Sequence, residues 1–121
     1  MSKLKYDGIP VEINNMEYNL LFTVNVIDEL EEHFEDDITS LKNWMLDGKK
    51  VRYKNLAYIL YVLVKECIEI RKEDGKEAQD ITLEKVRRHI NTVNVGDYML
   101  AITEAYIGSF LRTEEDEDPN K

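Results

Sequence analysis

Nine consecutive apolar residues, Leu56 to Val64, lie in a stretch from Lys49 to Asp74 that contains no Gly or Pro. Read alone, Tyr58 to Val64 suits a buried strand, because β-branched and aromatic residues favour strands. Length decides for a helix. Apolar side chains continue at Cys67, Ile68 and Ile70, and Leu56, Leu60, Leu63, Val64, Cys67 and Ile70 recur at steps of three and four. The pattern predicts one helix from about Lys54 to about Lys72, with Gly75 just beyond its end. Those six side chains share one arc, with Ile59 at its edge. Lys65, Glu66 and Glu69 fall opposite, Tyr58 and Val62 fall among those charges, and Ala57 and Tyr61 lie at the border. A helix this apolar all round is central to its domain. The run is short of the roughly 20 apolar residues that a membrane span requires. Two readings stand: a core helix encircled by the rest of the chain, or one that leaves Tyr58, Tyr61 and Val62 for a partner.

The full length of 121 residues bounds the fold to one domain. A hydrophobic fraction of 43% is enough for a core, and five Gly with two Pro, both near the termini, favour long helices. Net charge is −9, from 25 acids and 16 bases. That balance disfavours nucleic acid or an anionic membrane as partner, since both are bound by clustered Lys and Arg. Residues 113–121 alone hold five acids and one Lys. A single Cys allows no internal disulfide, and Met1-Ser2-Lys3-Leu4-Lys5 has no apolar signal region after it. The expected compartment is a reducing cytoplasm.

Taken in order, residues 1–8 read as a lead-in, and 10–21 as a hairpin. Val11 and Ile13 alternate with Glu12, Met16, Tyr18 and Leu20 alternate with Glu17 and Asn19, and Asn14-Asn15 tolerates the positive φ of a two-residue turn. Thr23 is placed to cap a helix over 24–34 with Ile27, Leu30 and Phe34 inward. Seven acids between Asp28 and Asp37 read as a solvated face without metal-ligand spacing, and their crowding predicts a frayed C-terminus. A short helix over 39–46 contributes Leu41, Trp44 and Met45, and Asp47-Gly48 ends it. Lys49, Lys50, Arg52 and Lys54 form the basic cluster, read as a loop facing the acidic helix and lacking an aromatic platform. Thr82 is expected to cap a helix over 83–91 with Leu83, Val86 and Ile90 inward, and Asn94 one over 95–112. On that last helix Val95, Tyr98, Met99, Ile102, Ala105, Tyr106 and Phe110 share a face, while Leu100, Ile107 and Leu111 form a second stripe beside Glu104.

The reading is therefore mainly α (α+β): a small five-helix domain with an N-terminal β-hairpin over residues 1–112, and a disordered acidic tail at 113–121. No GxSxG, phosphate-cradling glycine loop or HExxH motif is present. His33 and His89 lie far apart in sequence. Cys67 sits mid-helix on the apolar arc as a small hydrophobe, where a serine would bury a hydroxyl with no assured partner. No catalytic residue, metal ligand or cofactor site is expected.

The segment Ile13-Asn14-Asn15-Met16-Glu17-Tyr18-Asn19-Leu20-Leu21-Phe22-Thr23-Val24-Asn25-Val26-Ile27-Asp28-Glu29-Leu30-Glu31-Glu32 resembles the start of tail assembly chaperones of long-tailed bacteriophages and prophages of Gram-positive hosts. Their pattern is a strand, an Asn-Gly-like turn, a strand ending in Leu-x-Phe, a Thr-x-Asn segment, and a helix carrying Ile-x-x-Leu-Glu-Glu. The layout is similar across most of residues 9–112 but specific only in 13–32. Asn15 stands where the family usually has Gly, and the central helix has more tyrosine. The resemblance implies a non-enzymatic protein that binds the helical tape-measure protein, keeps it soluble before the tail tube polymerises, and is absent from the finished virion. The tail-tube protein is a second candidate partner, and self-association a third use of any spare apolar patch. Tyr58, Tyr61, Val62, Leu100, Ile107 and Leu111 are the candidate contact residues, with tyrosine favoured at hot spots. Two other classes compete: an acidic mimic of nucleic acid that inhibits an enzyme, and a structural tail component.

Overall fold

The computed structural model describes residues 8–117, and side chains through Phe110. It opens with the hairpin β1 (Ile9–Ile13) and β2 (Met16–Leu20), paired antiparallel in the register Ile9↔Leu20, Val11↔Tyr18, Ile13↔Met16. Asn14 and Asn15 have φ of +54° and +66°, the two left-handed residues of a type I′ turn, which matches the twist of the strands. Val11, Ile13, Tyr18 and Leu20 are buried while Glu12 and Glu17 face water. At the entry to β1, Gly8 has φ +91°, and a Cβ there would lie 2.4 Å from the Leu20 carbonyl oxygen.

Thr23 caps α1 (Val24–Phe34), its Oγ1 accepting the Val26 N–H at 3.2 Å and donating to Glu66 Oε2 at 2.6 Å. The inward residues are Val26 and Leu30, with Ile27 and Phe34 only half-buried, a small rotation from the expected stripe. Nor does α1 fray. Glu35 adopts a left-handed conformation and returns its N–H to the Glu31 carbonyl. Acids in α1 and just after it bind the backbone that follows: Glu31 Oε2 accepts the Ile38 N–H at 2.8 Å, and Asp37 Oδ1 the Thr39 N–H at 2.8 Å. A 3-10 turn at Ile38–Ser40 leads into α2 (Leu41–Met45), where Leu41, Trp44 and Met45 are buried.

A second, two-residue hairpin follows, β3 (Leu46–Asp47) and β4 (Lys50–Val51), where a loop was expected. Gly48 at φ +66° makes its turn, and Arg52 pairs with Asp47 at 3.2 Å rather than with the acids of α1.

The central helix α3 spans Tyr53–Glu73 and packs against β2, α1, α2, α4 and α5. That encirclement buries Ala57, Ile59, Val62 and Ile68 besides the predicted arc, and leaves Ile70 half-buried. Asn55 Nδ2 donates to the Trp44 carbonyl at 2.8 Å and fixes the α2–α3 junction. Gly75 at φ +77° ends α3, with the Lys76 N–H returning to the Arg71 carbonyl at 2.9 Å. Thr82 caps α4 (Leu83–His89), accepting the Lys85 N–H at 3.1 Å.

The last helix, α5, spans Val95–Glu117 and continues past the expected end at 112 into the acidic segment. The tail expected from 113 thus begins as helical backbone, and residues 118–121 lie outside the described residues. Asn94 joins the two helices: its Oδ1 accepts the Asn91 N–H at 2.9 Å and its Nδ2 donates to the His89 carbonyl at 2.7 Å. The α5 face of Val95, Tyr98, Ala101, Ile102 and Ala105 is buried against the rest of the fold. Tyr98 donates its hydroxyl to the Glu12 carbonyl at 2.9 Å, covering the free edge of β1. Among the described residues, no helix is long and apolar enough to cross a membrane.

Candidate functional site

The candidate contact residues fall into two groups, and the fold treats them differently. On α3, the neighbouring helix α1 has taken them up. Val62 is only 3% exposed and faces Asn25, Val26 and Glu29 of α1, so it is a packing residue and not the surface residue that the charges around it suggested. Tyr58 is half-buried. Its ring stacks on His33 with centroids 3.8 Å apart, and its hydroxyl donates to Glu29 Oε2 at 3.1 Å. Phe34 stacks on Trp44 at 4.4 Å and meets Tyr58 edge-on at 6.2 Å. This aromatic group joins α1, α2 and α3. Burial, then the Glu29 carboxylate, pushes the Tyr58 phenol up to about 12. Tyr61 is half-buried, with the Lys65 ammonium 5.9 Å from its ring centroid.

On α5 the outcome is the reverse. Leu100 is 58% exposed and Ile107 48% exposed. They are seven residues apart, nearly two helical turns, and so lie on one line. At 100° per residue that line points away from the buried Tyr98, Ile102 and Ala105. Thr103 and Glu104 flank it and are exposed. Leu111 continues the line in sequence, but its side chain lies outside the described residues. α5 therefore carries apolar residues on two opposite faces, one of them turned to water.

The acids of α1 and its loop are mostly engaged with the chain itself. Glu29 holds Tyr58, Glu31 and Asp37 hold backbone N–H groups, and Asp36 accepts the Asp37 N–H at 2.7 Å, which holds its carboxyl below the ordinary carboxylate range. Among the described residues, no three His, Cys, Asp or Glu side chains are grouped to hold a metal ion. The basic cluster does have an aromatic neighbour, because Tyr53 is 42% exposed in its midst. The sequence signal was its position between Arg52 and Lys54. No protein-family model, curated protein sequence or solved structure matches this chain.

Proposed function

We propose that this domain is a non-enzymatic tail assembly chaperone of a long-tailed phage or prophage, working in the bacterial cytoplasm. It binds the tape-measure protein and keeps it soluble until the tail tube polymerises. The observation that carries the reading is the outward apolar line of Leu100 and Ile107 on α5. A tape measure is a long helix with apolar stripes, and an apolar helix face rimmed by polar residues is a surface on which such a stripe docks. The resemblance of residues 13–32 supports the same reading. The engagement of Glu29, Glu31, Asp36 and Asp37 within the fold weighs against a mimic that would present free carboxylates.

Magnitude fits the role. Fully burying a Leu or Ile contributes about 1.5–3 kcal/mol, and these two are already partly covered, so one copy binds weakly. Separate copies along a long partner each bind at their own weak affinity, because avidity arises only between linked modules, so such a coat is released copy by copy.

The test is co-expression of a candidate partner, a tape-measure protein from the same source genome, with wild type or with Leu100→Ser/Ile107→Ser. Wild type is expected to keep the tape measure in the soluble fraction. The double variant, once circular dichroism shows it folded, is expected to lose it to the pellet. Failure of the wild type refutes the chaperone reading. Equal performance of the double variant refutes α5 as its surface.

A further inference from the structure

A cleft between α3 and α4 gathers positive charge on this acidic chain. It is lined by Tyr53, Lys54 and Ala57 from the start of α3 and by Arg87 and Ile90 at the end of α4. Arg52, Lys72 and Arg88 each pair with an acid. Lys54 and Arg87, both exposed, have no ion pair with any described residue. Lys49 and Lys50 precede them in the small hairpin. The floor is apolar, with Ala57 buried and Ile90 half-buried, and Tyr53 stands at the rim. Such a cleft suits an acidic peptide that also brings an apolar side chain: carboxylates for Lys54 and Arg87, an aliphatic group for the floor.

The chain has such a segment. Leu111 precedes the acidic run Glu114-Glu115-Asp116-Glu117-Asp118. It cannot reach the cleft of its own molecule through residue 117. Ile90 lines the cleft, and the Asn94–His89 hydrogen bond holds the start of α5 close to it. From Val95 to Glu117 the backbone is one helix, which places Glu117 roughly 33 Å from Val95 at 1.5 Å per residue. We propose that the α3–α4 cleft docks the acidic segment 111–118 of a second copy of this chain. The contact is head-to-tail: the surfaces joined differ, so each added copy presents a fresh cleft and a fresh acidic end. It uses neither Leu100 nor Ile107, shares with that line only Leu111 at its end, and does not depend on the chaperone reading.

The experiment is sedimentation velocity of the full chain across a concentration series at low and high salt. It is repeated for a chain ending at Arg112, for Lys54→Glu/Arg87→Glu, for Glu114→Lys/Glu115→Lys, and for the four changes combined. Wild type is expected to associate at low salt and dissociate at high salt, since the contact is ionic and screened. The truncation and each double reversal are expected to weaken association by roughly tenfold or more, and the combination, with charges exchanged, to restore it. A wild type that stays monomeric throughout overturns the proposal. So does association that survives both reversals, or reversals whose combination restores nothing.

Discussion

The backbone N–H of Asn19 donates to the Cys67 thiol at 3.4 Å, across 48 residues of sequence. Asn19 lies opposite Pro10 in the hairpin, and the bond ties β2 to the central helix. A serine at position 67 would therefore meet a donor, contrary to the expectation from sequence that its hydroxyl lacks an assured partner. Cys67→Ala leaves the Asn19 N–H without its acceptor and is expected to cost about 1–3 kcal/mol. Cys67→Ser keeps an acceptor and is expected to cost less, about 1 kcal/mol. Urea unfolding ranks the two, and hydrogen exchange at Asn19 should be faster in the alanine variant alone. A serine variant less stable than the alanine variant would show that the thiol acts only by packing.

The Asn14-Asn15 turn makes a separate prediction. Both residues hold positive φ, a conformation that costs an ordinary L-residue roughly 1–2 kcal/mol and asparagine less. Asn15→Ala is expected to lower stability by about 1 kcal/mol, whereas Asn15→Gly, the residue the turn type prefers, should match or exceed wild type. Thermal melts of the two variants decide it. Equal melting temperatures for alanine and glycine would mean the turn is not strained as its backbone angles imply.

These two sites show what was legible in the sequence and what was not. Asn14-Asn15 between alternating runs marks a hairpin because turn chemistry is local. The caps at Thr23 and Thr82 and the placement of five helices are local in the same sense. The β3–β4 hairpin was not legible, since two residues per strand leave no period to read. The Asn19–Cys67 bond joins elements that no local pattern relates. The candidate residues divide on the same ground. α5 buries one face, so a helical wheel finds Leu100 and Ile107 outside. α3 is surrounded, and nothing in its own sequence reveals that α1 covers Val62 and Tyr58 beside exposed Lys65 and Glu69.

The burial of Tyr58, and after it the Glu29 carboxylate beside it, predicts a pH dependence. The ordinary phenol value is 10.0, and in the folded chain Tyr58 is pushed up to about 12. Below the ordinary value the phenol is neutral in both states. Above it, the unfolded chain releases the proton while the folded chain retains it, so stability falls as pH rises through that window. Burial raises Tyr18 and Tyr98 in the same direction. Urea midpoints across the window are expected to decline less steeply for Tyr58→Phe than for wild type. Identical slopes would mean that Tyr58 ionises as freely folded as unfolded.

The last prediction separates the two groups of candidate contact residues. Val62 is 3% exposed against α1, so Val62→Ser removes buried apolar volume and introduces a hydroxyl, at a cost of about 2–4 kcal/mol. Leu100 and Ile107 face water, and Leu100→Ser/Ile107→Ser is expected to cost about 1 kcal/mol or less, mainly through helix propensity. The two variants should therefore part company in function. The α5 variant is expected to melt near wild type yet fail to hold the tape measure in solution. Val62→Ser is expected to melt much lower, and its folded fraction, measured at reduced temperature, should still bind. If instead the α5 variant lost stability as Val62→Ser does, its outward line would be part of the core and no longer a candidate for partner contact.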